Sequence, residues 1–201
     1  MSTQESALVR QHPRTLSRQF LLFARNFLRY PKLLGSLVPS SPFLVKHLLS
    51  FIDWERARVV VEYGPGVGTI TQEILKRIRP DATLVAIELN PEFVDFLQNE
   101  IFDPRLRVVY GSAADVRRIL RALNLPQADY IISGIPYTTL PDGVRRSVVR
   151  ESHHVLHPQG AFLVYQFTRT VLPYLRPTFA TVRQDFKLLN ILPARIFYCT
   201  P

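Results

Sequence analysis

The sequence holds a single cysteine, Cys199, which excludes an internal disulfide and fits a reducing compartment. It holds five histidines and no spacing that reads as a metal site. The nearest approach is His153 and His154 with His157, and neighbouring residues of a helix point to different faces, which favours a structural reading. No run of roughly 18 apolar residues occurs, so no spanning helix is expected and a membrane could be met only at its surface. The N-terminus is polar and lacks the apolar stretch and small-residue cleavage site of a signal peptide. Acidic residues are scarce in the first quarter: residues 1–50 hold Glu5 alone against seven Lys and Arg. Over the whole chain of 201 residues the formal net charge is +9, so most of the excess lies in that quarter. Such a segment attracts phosphate, on a nucleic acid or on an anionic membrane. The remaining composition, 47% hydrophobic, suits one α/β domain with a short extension.

Residues 1–14 are polar and read as a loose terminus. Residues 15–30 read as an amphipathic helix. Arg18, Arg25, Arg29 and then Lys32 recur at spacings of seven, four and three, while Phe20, Phe23, Ala24, Phe27 and Leu28 fall on the opposite face. Pro31 ends it. Glycine, prolines and serines at 35–44 mark a loop, followed by a short helix over 43–52. From Ala57 strands and helices alternate. Strands are expected at 57–64, 83–88, 105–110, 128–133 and 161–168, helices at 69–78, 91–100, 113–123 and 141–156, and a turn at 157–160. The tail 185–200 reads as two strands around a turn at Leu192–Pro193. The pattern predicts a doubly wound, mostly parallel seven-stranded sheet closed by an antiparallel C-terminal hairpin. The expected organisation is a basic extension over 1–34 and one domain over 35–201.

The strongest chemical signal is the run from Val60 through Glu62, Tyr63, Gly64, Pro65, Gly66, Val67 and Gly68 to Thr69. A buried strand enters a turn with glycine at every second position and leaves as a helix. Glycines let a ligand approach the backbone and permit positive φ, and the helix start aims free N–H groups at it. A dinucleotide site spaces its glycines G-x-G-x-x-G; here the spacing is G-x-G-x-G with an acid, Glu62, two residues before. That acid would repel a pyrophosphate and could pair with an ammonium, as on S-adenosylmethionine. Glu88 closes the second strand and could accept ribose hydroxyls. Gly111, Ser112 and Ala113 end the third, where adenine could meet the Ser112 hydroxyl, the backbone or Asp115; Asp115 could equally cap a helix. Ser133 to Tyr137 ends the fourth, so four strand ends converge on one edge, where open α/β sheets bind ligands.

From about Phe27 to Thr168 the chain resembles the bacterial phospholipid N-methyltransferases, class I methyltransferases distantly similar to the ribosomal RNA adenine dimethylases. The resemblance rests on Gly35–Ser41, on Glu62–Gly68, on Ile87-Glu88-Leu89-Asn90, on Ser133-Gly134-Ile135-Pro136-Tyr137 and on Tyr165-Gln166-Phe167-Thr168. It implies a Rossmann-like fold with S-adenosylmethionine as cofactor. The implied cofactor-binding set is Ser40, Glu62, Gly64, Gly66, Gly68, Glu88, Leu89, Ser112, Ala113 and Ser133. The implied activity is stepwise methylation of phosphatidylethanolamine, and of its mono- and dimethyl forms, toward phosphatidylcholine. Tyr137 is the residue expected to shape the amine pocket, through its hydroxyl and through cation–π attraction to the product. His154 and Arg169 are expected to hold the lipid phosphate.

Two other readings stand beside this one. An adenine methyltransferase would need an amide acceptor for the target amino group, and Ser133 offers none; the helical RNA-binding domain of those enzymes is also not expected here. A non-catalytic basic module that binds a membrane or nucleic acid is the third reading. The helix over 15–30 favours the lipid enzyme, with Phe20, Phe23 and Phe27 entering the acyl boundary and Arg18, Arg25 and Arg29 meeting anionic headgroups. The expected partners are a phospholipid substrate and an anionic membrane surface, with nucleic acid disfavoured and no obligate protein partner. The expected location is cytoplasmic, peripheral to the inner face of the cell membrane.

Overall fold

In the computed structural model the described residues are 42–187 and 194–201. The extension over 1–34, its amphipathic helix, the loop with Ser40 and the turn at Leu192–Pro193 lie outside them. The elements are α1 (Pro42–Leu49), β1 (Val59–Tyr63), α2 (Thr69–Leu75), β2 (Thr83–Glu88), α3 (Pro91–Glu100), β3 (Leu106–Tyr110), a 3₁₀ turn (Ala113–Asp115), α4 (Val116–Ala122), β4 (Ala128–Ser133), α5 (Asp142–Val155), β5 (Leu156–Gln166), α6 (Leu172–Leu175), β6 (Thr181–Lys187) and β7 (Ala194–Thr200). One sheet runs β3-β2-β1-β4-β5-β7-β6. The first five strands pair in parallel; β7 is antiparallel to both β5 and β6. This is the doubly wound sheet with a terminal hairpin that the alternation predicts.

The period of two along each strand divides the core into two layers. Val59, Val61 and Tyr63 of β1, Val85 and Ile87 of β2 and Phe162 and Val164 of β5 face α4 and α5. Val60, Leu84, Ala86, Ile132 and Leu163 face α1 and α2. A strand buried on both faces reads as a continuous apolar run, which is why VVVEY is so legible. Asp129 Oδ2 accepts from the N–H groups of Arg58 and Val59 at 2.8 and 2.9 Å and so anchors the start of β1 to β4. Cys199 is buried, and burial pushes its thiol up to about 12, away from reactivity at neutral pH.

Three expectations needed correction. Residues 157–160 are not a turn but the first part of β5, whose pairing with β4 shifts register between Ala128 and Tyr130. A bulge lets a strand carry proline and glycine at an irregular position. The segment 113–123 divides into a 3₁₀ turn and a shorter helix. The hairpin begins at Thr181 rather than at 185, and the short helix α6 had no sequence signal.

Candidate cofactor and acceptor site

The glycine turn after β1 has all three glycines at positive φ: +67° at Gly64, +56° at Gly66 and +79° at Gly68. Gly64 donates its N–H to Ile87 O, Gly111 to Glu88 O and Gly134 to Tyr63 O, at 2.9–3.0 Å. The sheet ladder therefore continues one residue past β1, β3 and β4, and sets Gly64 and Gly134 on neighbouring strand ends and Gly111 beyond β2 on the same edge. All three line a cavity of about 330 Å³, the lower end of the size range of small-molecule sites. Glu88, Leu89, Ser112 and Ala113 line it too, with Ile135 and Pro136 from the loop after β4. Phe93 of α3 and Leu140, Val144 and Val148 on the α5 side complete an apolar wall.

Glu88 carries most of the polar order. Its Oε1 accepts from the N–H groups of Leu89 and Asn90 at 2.8 and 2.9 Å, and its Oε2 accepts from Gly66 at 3.0 Å. Burial raises its pKa and these three amides oppose the rise. A carboxylate accepts about four hydrogen bonds, so roughly one place is open for a ribose hydroxyl, and accepting a second requires Gly66 to let go. The expectation that Glu88 takes both hydroxyls is thus narrowed. Ser112 Oγ accepts from the Ala114 N–H at 3.2 Å and keeps its own proton to donate. Asp115 stands outside the cavity lining and ion-pairs with Arg118 at 3.7 Å.

Glu62 lies beneath the turn and does not line the cavity; its Oε2 accepts from the Thr71 hydroxyl at 2.6 Å. Burial, with the nearby Glu88 charge adding to it, raises its pKa to about 8, against the ordinary 4.5. The folded protein then holds a proton on Glu62 that the unfolded chain has lost. Stability of the cofactor-free protein is expected to fall as pH rises from about 4.5 to about 8, by on the order of a few kcal/mol, and to level off above. Urea titrations at pH 6 and pH 8 check this. Glu62→Gln should flatten the slope, and an unchanged slope in that variant would assign it to another group.

Tyr137 and Ser133 are fully buried in the layer under α5, and their hydroxyls meet at 3.2 Å. Neither lines the cavity, so the expected amine pocket around Tyr137 is not where the fold puts this ring. The proline before it turns the loop so that Ile135 and Pro136 face the cavity while Tyr137 packs inward. Tyr137→Phe is expected to cost about 1 kcal/mol of stability, the worth of one hydrogen bond, and to leave cofactor affinity within about twofold. A tenfold fall in methyl transfer by a stably folded Tyr137→Phe would restore its expected role.

His154 sits near the end of α5, six residues and about 9 Å of helix rise beyond Val148. The chain then starts β5 at Leu156, opposite Ala128 at the start of β4, so His154 lies toward the sheet edge away from the cavity. Its neighbour is Glu151, at 3.9 Å, and it does not line the cavity. Arg169 follows β5 on the cavity's own edge, is exposed, and does not line the cavity. His153 packs edge-on against Phe179, His157 Nδ1 accepts from Gln159 N–H, and no metal-holding cluster occurs among the described residues. Two features carried no sequence signal: the apolar wall of α5 and the bond from Gln166 Nε2 to Ile135 O at 2.7 Å, which fixes the loop after β4 to β5. Val144 and Val148 share a face by their i, i+4 spacing, but spacing alone does not say what that face meets.

The cavity fits S-adenosylmethionine on its own chemistry. A buried carboxylate can receive the ribose, and the apolar lining with Leu89 and Ala113 can receive a flat base. Gly64, the one glycine of the turn on the cavity wall, lets the amino-acid tail approach the backbone, while Gly66 and Gly68 stand behind it with their N–H groups bonded to Glu88 and Pro65 O. Comparisons with known proteins agree. A model described as a methyltransferase domain matches residues 60–160. An ornithine lipid N-methyltransferase from Singulisphaera acidiphila is 33% identical over 184 residues, 90% of this chain and 96% of that protein. A ribosomal RNA small subunit methyltransferase A from Thermobifida fusca is 31% identical over 122 residues, covering 58% of this chain and 40% of that one. Among solved structures, an O-methyltransferase from Bacillus cereus in complex with SAH has a TM-score of 0.70 at 14% identity, over 97% of this chain and 94% of that one. Fold, glycine turn and end-to-end similarity converge: the chain is an S-adenosylmethionine-dependent N-methyltransferase of the lipid-modifying type and belongs to the class I methyltransferases, in one family with the ornithine lipid N-methyltransferase.

Proposed function

We propose that the chain methylates the headgroup amine of a membrane aminolipid, phosphatidylethanolamine and its mono- and dimethyl forms. The supporting observation is the relative that acts on ornithine lipid by name, which is similar over 96% of its own length, against 40% for the ribosomal RNA relative. The basic, aromatic-rich segment at 15–30 supports docking on an anionic surface, and hence a peripheral location at the inner face of the membrane. Among the described residues no helix is long and apolar enough to cross a membrane.

When bound, S-adenosylmethionine supplies an electrophilic methyl group. The chain has three tasks. It must hold the donor, which Glu88, Ser112 and the glycine turn do. It must exclude water from the line of attack, which Ile135, Pro136, Leu140 and Val144 do. It must bring the amine up unprotonated, because an ammonium has no lone pair with which to form the new N–C bond. An apolar wall favours the neutral amine, since burial disfavours the charged form.

The test is purified protein with labelled S-adenosylmethionine and anionic vesicles carrying phosphatidylethanolamine, or ornithine lipid in a parallel set. Label in the extracted lipid is expected. Label in ribosomal RNA adenine and none in lipid would overturn the proposal.

A further inference from the structure

Arg145 is the outlier of the described residues. Its Nε is wholly enclosed and has no hydrogen-bond partner, alone among their buried side-chain nitrogens and oxygens. Its other nitrogens make long contacts only, Nη1 to the Tyr174 hydroxyl at 3.4 Å and Nη2 to Thr138 O at 3.3 Å. No described carboxylate ion-pairs with it. The nearby acid, Asp142, is already engaged by Arg146 Nε at 2.8 Å and by the Tyr174 hydroxyl at 2.5 Å. Asp142 feels the Arg145 charge only at a distance, so the half-buried guanidinium has no close anion and its Nε no partner, which is costly because burial removes water that nothing replaces. The position is equally telling. Val144, the residue before, lines the cavity, and Thr138 lies between Pro136 and Leu140, which line it too. The guanidinium does not itself line the cavity; its contacts with Thr138 and Tyr174 set it between the loop after β4 and α6, next along the chain to residues that do line it.

We propose that Arg145 is the anion-binding residue of the acceptor subsite: it holds the negatively charged group that neighbours the amine of a zwitterionic lipid headgroup. Its planar fork matches the paired oxygens of a phosphodiester or a carboxylate, and either would supply the partner that the described residues do not. The proposal rests on the aminolipid reading above and deepens it, since an anchored anion a few bonds from the amine fixes which nitrogen reaches the cavity.

The experiment compares the full chain with Arg145→Gln and Arg145→Lys in three readouts. S-adenosylhomocysteine affinity, by calorimetric titration, should be within twofold of wild type in both variants. In methyl transfer to vesicles, Arg145→Gln should raise KM for the lipid about tenfold or more with kcat nearly kept, and Arg145→Lys should recover part of that loss. Separate vesicles with phosphatidylethanolamine and with ornithine lipid distinguish the sources: the lipid whose KM rises more names the anion as phosphodiester or carboxylate. An unchanged KM, or a fall in kcat alone, overturns the proposal. If the wild type methylates neither lipid, the aminolipid reading fails, and the anion site is then decided by inorganic phosphate. At millimolar concentration phosphate should raise the melting temperature of the wild type and not of Arg145→Gln; equal shifts overturn the site.

Discussion

Glu88→Ala is expected to weaken S-adenosylhomocysteine binding by roughly a hundredfold, about 3 kcal/mol at 1.4 kcal/mol per tenfold. The side chain organises three backbone amides, of Gly66, Leu89 and Asn90, into the shape of the cavity floor, and offers its remaining acceptor capacity to a ligand hydroxyl. Hydrogen bonds to a charged partner each contribute about 1.5–3 kcal/mol, so one lost ligand contact plus a loosened Gly66 accounts for the figure. Glu88→Gln keeps the shape and one acceptor oxygen but turns an NH₂ toward the amides, and about a tenfold loss is expected. Calorimetric titration of both variants checks the order. If Glu88→Ala binds as tightly as the wild type, the ribose is not held at the end of β2.

The second large effect concerns stability. Gly68→Ala is expected to lower stability by about 2–4 kcal/mol, made of about 1–2 kcal/mol for an L side chain in the left-handed region and about 1–2 kcal/mol of overpacking, the lower part of the usual range because the atoms met are side-chain ends. The added Cβ would lie 2.8 Å from both Leu97 Cδ2 and Ile101 Cδ1, where α3 packs over the start of α2. For a chain of this size that is a fall in Tm of roughly 5–15 °C. Gly66 provides the control. Its φ is also positive, but a Cβ there meets nothing within 4 Å, so Gly66→Ala should cost only the backbone part, about 1–2 kcal/mol. Equal losses at the two positions would mean that packing against α3 does not matter.

The sheet was legible because its strands are buried on both faces and bounded by strong punctuation. Thr83–Glu88, Pro91–Glu100 and Ala128–Ser133 lie where the pattern puts them. Pro91 at the first turn made α3 easy to place, and in the structure the Asn90 side chain caps it by accepting from the Glu92 N–H at 2.9 Å. The bulged start of β5 was not legible, since His-Pro-Gln-Gly has turn chemistry and only pairing with β4 makes it a strand. The site divides in the same way. Gly64, Glu88, Leu89, Ser112 and Ala113 are on the cavity wall because their place follows from ending a parallel strand. Ser133 ends β4 but is buried by its place in the strand, and Tyr137 follows in the loop, whose direction, with Gln166 holding Ile135, turns it into the core. His154 lies off the cavity for a simpler reason: it follows Val148, the last α5 residue on the cavity wall, by six residues, about 9 Å of helix rise. Arg145 could not have been singled out among the many arginines of the chain, because what marks it is a missing partner.

The cofactor cavity is the feature on which every functional statement depends, and hydrogen–deuterium exchange with and without S-adenosylhomocysteine tests it most directly. Slowed exchange is predicted in the backbone from Gly64 to Gly68, at Leu89 and Asn90, from Gly111 to Ala113 and from Gly134 to Ile135, with no change around His154 and His157. Unchanged exchange at the glycine turn, or protection centred on the end of α5, would contradict the account.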